Sequence, residues 1–233
     1  VLAQGSDAEA FLRAFNAAAD DLLDNADDLR EIADVLRDTN ILVLSDEIYA
    51  ELTYSGKHTS IASLEGMRER TIIASGFSKA YAMTGWRLGY TLAPREITAQ
   101  MFKVHQYGIM CAPTVSQFAA IEALRAGDSD IEYMKDEYNR RRLYITSGLA
   151  AAGIECFKPE GAFYVFANVG GFGMTSEEFC TKLLYEAGVA IVPGTAFGEC
   201  GEGFARVSYA YSVNHISTAI EKIDEFVKKI KNN

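Results

Sequence analysis

The sequence has 233 residues, 49% of them hydrophobic and 23% charged, a balance typical of a folded globular protein and not of a disordered chain. Its formal net charge of -10 argues against a nucleic-acid or anionic-membrane partner, and no apolar run approaches the ~20 residues that a membrane span needs. Four widely spaced cysteines and three histidines predict neither a disulfide framework nor a metal site, and favour a cytoplasmic location.

The first half of the sequence alternates predicted helices with short apolar strands. Residues 7–24 have the periodicity of an amphipathic helix, and a second helix is predicted at 27–38. Residues 41–44 form a continuous apolar run, which is typical of a strand buried on both faces of a parallel sheet. Further strands are predicted at 71–74 and 87–93.

Three helices follow, and the pattern then changes near Gly153. The helices are predicted at 95–108, 114–125 and 130–152, and three consecutive arginines at 140–142 most simply form a solvated face of the last one. Short strands and helices alternate beyond Gly153, with strands predicted at 154–157, 163–166, 189–192 and 204–210 and helices at 175–187 and 213–230. This mixture predicts a second α/β or α+β domain. We therefore assign residues 1–140 to the first domain and 141–233 to the second.

Residues with reactive side chains follow the strands of the first domain. Asp46 and Tyr49 come after the run 41–44, and ligands of open α/β sheets bind beyond the carboxyl ends of the strands. A helix cap or salt bridge for Asp46, and a core position for Tyr49, are the alternatives. Lys79 lies in a bend after the strand 71–74, and its amine suits Schiff-base chemistry with an aldehyde.

Arg87 follows a glycine and the only tryptophan of the chain. Its guanidinium offers two parallel hydrogen bonds to a phosphate. An aldehyde and a phosphate together point to pyridoxal 5'-phosphate (PLP). Judged on spacing alone, a surface lysine and a salt-bridged arginine in an ordinary loop are equally consistent with the pattern.

Several longer motifs occur in a characteristic order. They are Ser-Asp-Glu-Ile-Tyr at 45–49, Ser-Lys-Ala-Tyr-Ala-Met-Thr-Gly-Trp-Arg-Leu-Gly-Tyr at 78–90, Pro-Glu-Gly-Ala-Phe-Tyr at 159–164, Pro-Gly-Thr-Ala-Phe-Gly at 193–198 and Phe-Ala-Arg-Val-Ser at 204–208. Over roughly residues 25–230 the sequence thus resembles the class I/II aminotransferases, the fold-type I PLP-dependent enzymes. The resemblance implies an α/β fold, with part of a large domain built on a mainly parallel sheet and a smaller C-terminal α/β (α+β) domain.

The resemblance also implies roles for individual residues. Lys79 holds PLP as an internal aldimine and later moves a proton at the substrate α-carbon. Asp46 pairs with the pyridine nitrogen, which lets the ring accept electrons, and Tyr49 contacts the ring O3'. The remaining assignments are Arg87, Ser75 and Ser78 for the phosphate and Arg206 for the substrate α-carboxylate.

The phosphate role of Ser75 and Ser78 and the substrate role of Arg206 are the assignments to which the sequence offers a counter-argument. Many relatives carry a serine three positions before the lysine, whereas Gly76 stands here. Arg206 could instead form a salt bridge between the two domains.

The resemblance implies a homodimeric aminotransferase that exchanges the amino group of an amino acid with a 2-oxo acid. The family's N-terminal half of the large domain has no counterpart in this sequence. That half carries a glycine-rich turn for the phosphate, an aromatic residue that stacks on the ring and an asparagine that contacts O3'. A non-catalytic binding module is therefore kept as an alternative. A carbon–sulfur lyase of the same fold, which would share the site residues, is a second alternative.

Overall fold

Two three-stranded sheets, one in each of two units, organise residues 27–231, which are the residues that the computed structural model describes. The first unit ends at Glu132 and the second begins at Tyr133. The helix predicted at 7–24 lies outside the described residues. No helix within 27–231 is long and apolar enough to cross a membrane.

The first sheet has the order β1-β2-β3 and is of mixed direction, its strands being β1 (Val43–Asp46), β2 (Thr71–Gly76) and β3 (Gly89–Leu92). The first two strands are parallel, with Asp46 opposite Ala74. The third runs antiparallel to β2, with Gly89 opposite Gly76. The carboxyl ends of β1 and β2 and the start of β3 therefore meet at one edge of the sheet.

The helices of the first unit agree with their predicted positions to within a few residues. They are α1 (Asp27–Arg37), α2 (Arg95–Gly108), α3 (Thr114–Ala126) and the long α4 (Asp128–Ala151), which continues into the second unit. Ala33 of α1 packs against Ile61 and Met67 of the segment between β1 and β2. Ala120 of α3 packs against Phe77 and Met83, which flank the lysine bend.

The strand predicted at 41–44 is not buried on both faces in the described chain. The strand begins later, at Val43, and Leu44 is 71% exposed. Among residues 27–231 only β2 pairs with β1, so the other edge of β1 is open. Further large apolar side chains of this unit are also exposed, namely Phe102, Val104, Tyr107, Ile109, Met110, Val115 and Phe118. Five of these seven side chains lie on α2 and α3, so the exposed apolar residues concentrate on these two helices.

The second sheet is antiparallel and has the order β4-β6-β5, with β4 (Tyr164–Asn168), β5 (Val192–Pro193) and β6 (Phe204–Ser208). The predicted strand at 154–157 is reduced to a single bridge between Cys156 and Ala167, and the strand predicted at 189–192 overlaps the two-residue β5 only at Val192. The helices of this unit are α5 (Ser176–Ala187) and α6 (Val213–Lys231). The Phe179 and Phe226 rings, 5.4 Å apart, join these helices in the core.

Candidate active site

Three of the predicted site residues lie at or just beyond the edge where β1 and β2 end. Asp46 is the last residue of β1, and its exposed carboxylate accepts a hydrogen bond from the Ile48 backbone N–H at 3.2 Å. The Lys79 ammonium lies 5.6 Å from the centroid of the Tyr49 ring, which is within cation–π range. An amine and a phenol therefore lie near each other on segments that follow two adjacent parallel strands.

The bend that carries Lys79 is fixed by its neighbours. The Phe77 carbonyl accepts the N–H groups of Tyr81 at 3.3 Å and of Met83 at 3.1 Å, which closes the chain into a tight loop. Phe77 and Met83 are buried against α3. The buried Ser116 hydroxyl of α3 also donates to the Trp86 carbonyl at 2.7 Å. The loop is thus held on both sides of the lysine, and the lysine itself is half-buried.

Arg87 has an unusual backbone conformation. Its φ is 53°, in the left-handed region that non-glycine residues rarely occupy. Such a conformation costs ~1–3 kcal/mol and persists only where the surroundings impose it. The exposed side chain donates one hydrogen bond, to the Thr84 carbonyl at 2.8 Å. Because Arg87 lies just before β3, its backbone is at the same edge of the sheet as Asp46.

The two predicted phosphate serines differ in their contacts. The Ser75 hydroxyl donates to the Glu47 carbonyl at 3.3 Å and hydrogen-bonds the Tyr90 phenol. Burial raises the pKa of Tyr90, and this hydrogen bond partly offsets the rise. Ser78 is half-buried, and its backbone carbonyl accepts a hydrogen bond from the Thr84 hydroxyl at 3.2 Å. Ser75 is therefore already engaged by protein groups.

Tyr81, within the bend, has a strongly perturbed phenol. Burial raises the pKa of Tyr81 to about 12, and the nearby Glu51 and Asp128 carboxylates add to the effect. Its ring lies 5.4 Å from that of Phe77. At neutral pH this phenol is protonated and serves as a packing group of the loop.

Glu47 was not among the residues singled out from the sequence. It follows Asp46 directly, and only 8% of its surface is exposed. Its carboxylate accepts hydrogen bonds from the hydroxyls of Ser45 and Ser60. The sequence signal was present in the Ser-Asp-Glu motif, but the burial depends on Ser60, which is distant along the chain.

Arg206, the predicted substrate residue, lies on β6 in the second unit, opposite Phe166 of β4 and Val192 of β5. Its guanidinium carbon is 4.4 Å from the centroid of the Tyr164 ring and 4.6 Å from that of Phe197. Contacts of this kind are worth ~0.5–2 kcal/mol each and limit the directions in which the side chain points.

The comparison with known proteins defines the class to which this fold and site belong. The chain is a member of the family described as aminotransferase class I and II, whose profile matches residues 16–223. Members of this family are PLP-dependent.

Individual relatives resemble the chain over most of its length. The YugH protein of Bacillus subtilis (strain 168) is 49% identical over 203 residues, which are 87% of this chain and 53% of that protein. An aspartate aminotransferase of Pyrococcus abyssi is 45% identical over 88% of this chain and 53% of its own length. The solved structure of an aromatic aminotransferase from Pyrococcus horikoshii OT3 matches with a TM-score of 0.86 at 43% identity, over 90% of this chain and 57% of that one. The chain thus spans about half the length of the curated relatives it matches.

Proposed function

We propose that this chain carries the PLP-binding and catalytic residues of an aminotransferase, which transfers an α-amino group between an amino acid and a 2-oxo acid. The observation that carries the proposal is the Lys79 amine beside the Tyr49 ring, at the sheet edge where β1 ends with Asp46. Membership of the aminotransferase family supports it. When bound, PLP supplies an aldehyde and an electron-accepting ring.

The side chains at this edge suit the groups of PLP one by one. The Lys79 amine matches the aldehyde, the Asp46 carboxylate the pyridine nitrogen and the Tyr49 phenol the ring O3'. Arg87, whose backbone is in the left-handed region just before β3, would bind the phosphate through its guanidinium. Ser75 and Ser78 would add hydroxyl groups from the bend before it.

Proton transfer is the chemical task of Lys79. Its Nζ would act as the general base toward the proton on the substrate α-carbon. The Asp46 carboxylate would hold a proton on the pyridine nitrogen of PLP, where it would favour electron withdrawal from the reacting carbon. Arg206 would bind the substrate α-carboxylate through two parallel hydrogen bonds, and the flanking Tyr164 and Phe197 rings would orient it.

We further propose the domain assignment, oligomeric state and location that accompany this function. The division into residues 1–140, for the cofactor domain, and 141–233, for the small domain, is supported by the unit boundary at Glu132. A homodimer is supported by the exposed apolar side chains of α2 and α3. A cytoplasmic location is supported by the four cysteines, all within the described residues and all free thiols.

Titration with PLP tests the proposal. A ligand at about 100 times its Kd stabilises the folded state by ~2.7 kcal/mol, so PLP is expected to raise the melting temperature of the wild-type protein. Borohydride reduction followed by mass spectrometry is expected to locate covalent PLP on Lys79. Lys79→Ala abolishes both signals, and the matched control Lys103→Ala, at an exposed lysine on α2, retains them.

Two outcomes would contradict the proposal. A folded wild-type protein with no PLP-dependent stabilisation and no covalent adduct would indicate a non-catalytic binding module. Release of ammonia and pyruvate from a cysteine conjugate, without any 2-oxo acid acceptor, would indicate carbon–sulfur lyase chemistry.

A further inference from the structure

Glu47 has a buried carboxylate with three side-chain neighbours. A buried charge is costly unless it is paired and hydrogen-bonded. Here the Glu47 Oε1 accepts the Ser60 hydroxyl at 2.7 Å and the Ser45 hydroxyl at 3.0 Å. Its Oε2 lies 3.1 Å from Nε2 of His58. The carboxylate therefore ties the end of β1 to the segment 58–60.

The backbone of Glu47 makes a second set of contacts, with β2. Its N–H donates to the Ala74 carbonyl at 2.8 Å and extends the parallel ladder by one bond past Asp46. Its carbonyl accepts the Ser75 hydroxyl at 3.3 Å and the Ala50 N–H at 3.0 Å. One residue thus joins β1, β2 and the short turn that contains Tyr49.

We propose that Glu47 is a positioning residue, which fixes the directions of Asp46, Tyr49 and Ser75 at the sheet edge. This inference rests on the proposed function for its consequence in PLP binding. Asp46 and Tyr49 flank Glu47 along the chain, so the peptide planes that Glu47 anchors set where both side chains point. Asp46 depends on this geometry, because its carboxylate accepts the Ile48 N–H at 3.2 Å only while the 46–48 backbone is turned.

A general contribution to stability would predict a different result from a positioning role. If Glu47 only stabilised the unit, its loss would resemble the loss of any buried hydrogen bond nearby. Thr71 of β2 is a suitable comparison, since it is also buried and its hydroxyl donates to the Met67 carbonyl at 2.7 Å. It lies at the opposite end of β2 from the lysine bend.

Amide hydrogen exchange in the protein without PLP tests the positioning directly. Glu47→Ala is expected to speed exchange at the Ile48 and Ala50 amides about tenfold or more. This factor corresponds to the free energy of one hydrogen bond to a charged group, which the variant loses. Thr71→Val is the control, measured at the urea concentration at which its free energy of unfolding equals that of Glu47→Ala. The exchange rates of the Ile48 and Ala50 amides are expected to stay unchanged in this control. Should Glu47→Ala fail to fold, Ser60→Ala carries the test with a smaller rise at the same amides. The proposal is overturned if exchange at these amides is unchanged in the folded Glu47→Ala protein. If Ser60→Ala is used in its place, unchanged exchange in that variant overturns the proposal.

PLP titration supplies the second measurement. Glu47→Ala is expected to weaken PLP affinity about tenfold more than Thr71→Val does, and to shift the absorbance of the bound cofactor. Equal losses in the two variants overturn the positioning role. A wild-type protein that binds no PLP contradicts the proposed function alone, because the exchange measurement still decides whether Glu47 positions the turn.

Discussion

Any side chain added at Gly76, the last residue of β2, is expected to destabilise the first unit. It faces Gly89 across the β2–β3 pair. A Cβ on Gly76 would lie 2.9 Å from the Gly89 Cα and 3.0 Å from the Leu88 carbonyl oxygen, and both are backbone atoms that cannot rotate away. The start of β3 would have to move. Overpacking of this kind costs ~1–3 kcal/mol, so we expect Gly76→Ala to lower the free energy of unfolding by about 2 kcal/mol.

The matched control lies in the same bend. A Cβ on Gly85 meets no atom within 4 Å, and Gly→Ala at such a site changes stability by ~0.4–1 kcal/mol in the favourable direction. Equilibrium urea unfolding followed by fluorescence of Trp86, the only tryptophan, reports on this unit. Equal midpoints for Gly76→Ala and the wild type, or an equal loss in Gly85→Ala, would refute the steric argument. Gly76→Ser should behave as Gly76→Ala does, although many relatives carry serine three positions before the lysine.

Three further predictions concern burial, charge and substrate binding. Folding raises the pKa of Tyr81 from 10.0 to about 12, so the stability that its protonated phenol adds is complete below pH 10 and is lost as the pH rises to 12. Between pH 10 and 12 the urea midpoint should therefore fall less in Tyr81→Phe than in the wild type. Arg142, 5% exposed, donates to the Pro159 carbonyl at 2.6 Å, and Arg142→Ala should destabilise the second unit by ~1.5–3 kcal/mol, against ~0–1 for the exposed Arg140→Ala in the same assay. Under the proposed function, Arg206→Lys, which keeps the charge but loses the planar fork, should lower kcat/KM for the amino acid substrate about tenfold or more.

Long periodic segments were predictable from the sequence, because an amphipathic helix carries its own signal over several turns. Helix α1 accordingly lies where its periodicity placed it. The arginine run at 140–142 was predicted as a solvated face, and Arg142 is instead buried. Its partner, the Pro159 carbonyl, comes from another segment, so local sequence could not reveal it. The burial of Glu47 escaped prediction for the same reason.

The apolar run at 41–44 shows a different limit of sequence analysis. Hydrophobicity reports the burial that a segment reaches in its complete fold, whereas the strand itself is defined by its hydrogen bonds to β2. Leu44 is exposed here because the described residues supply neither a cover for its face nor a strand for the open edge of β1. The relatives are about twice as long as the region they share with this chain. Exposed apolar side chains on an open strand are typical of a surface that contacts another polypeptide, which is why the run 41–44 carries the composition of a buried strand while Leu44 is exposed in the described residues.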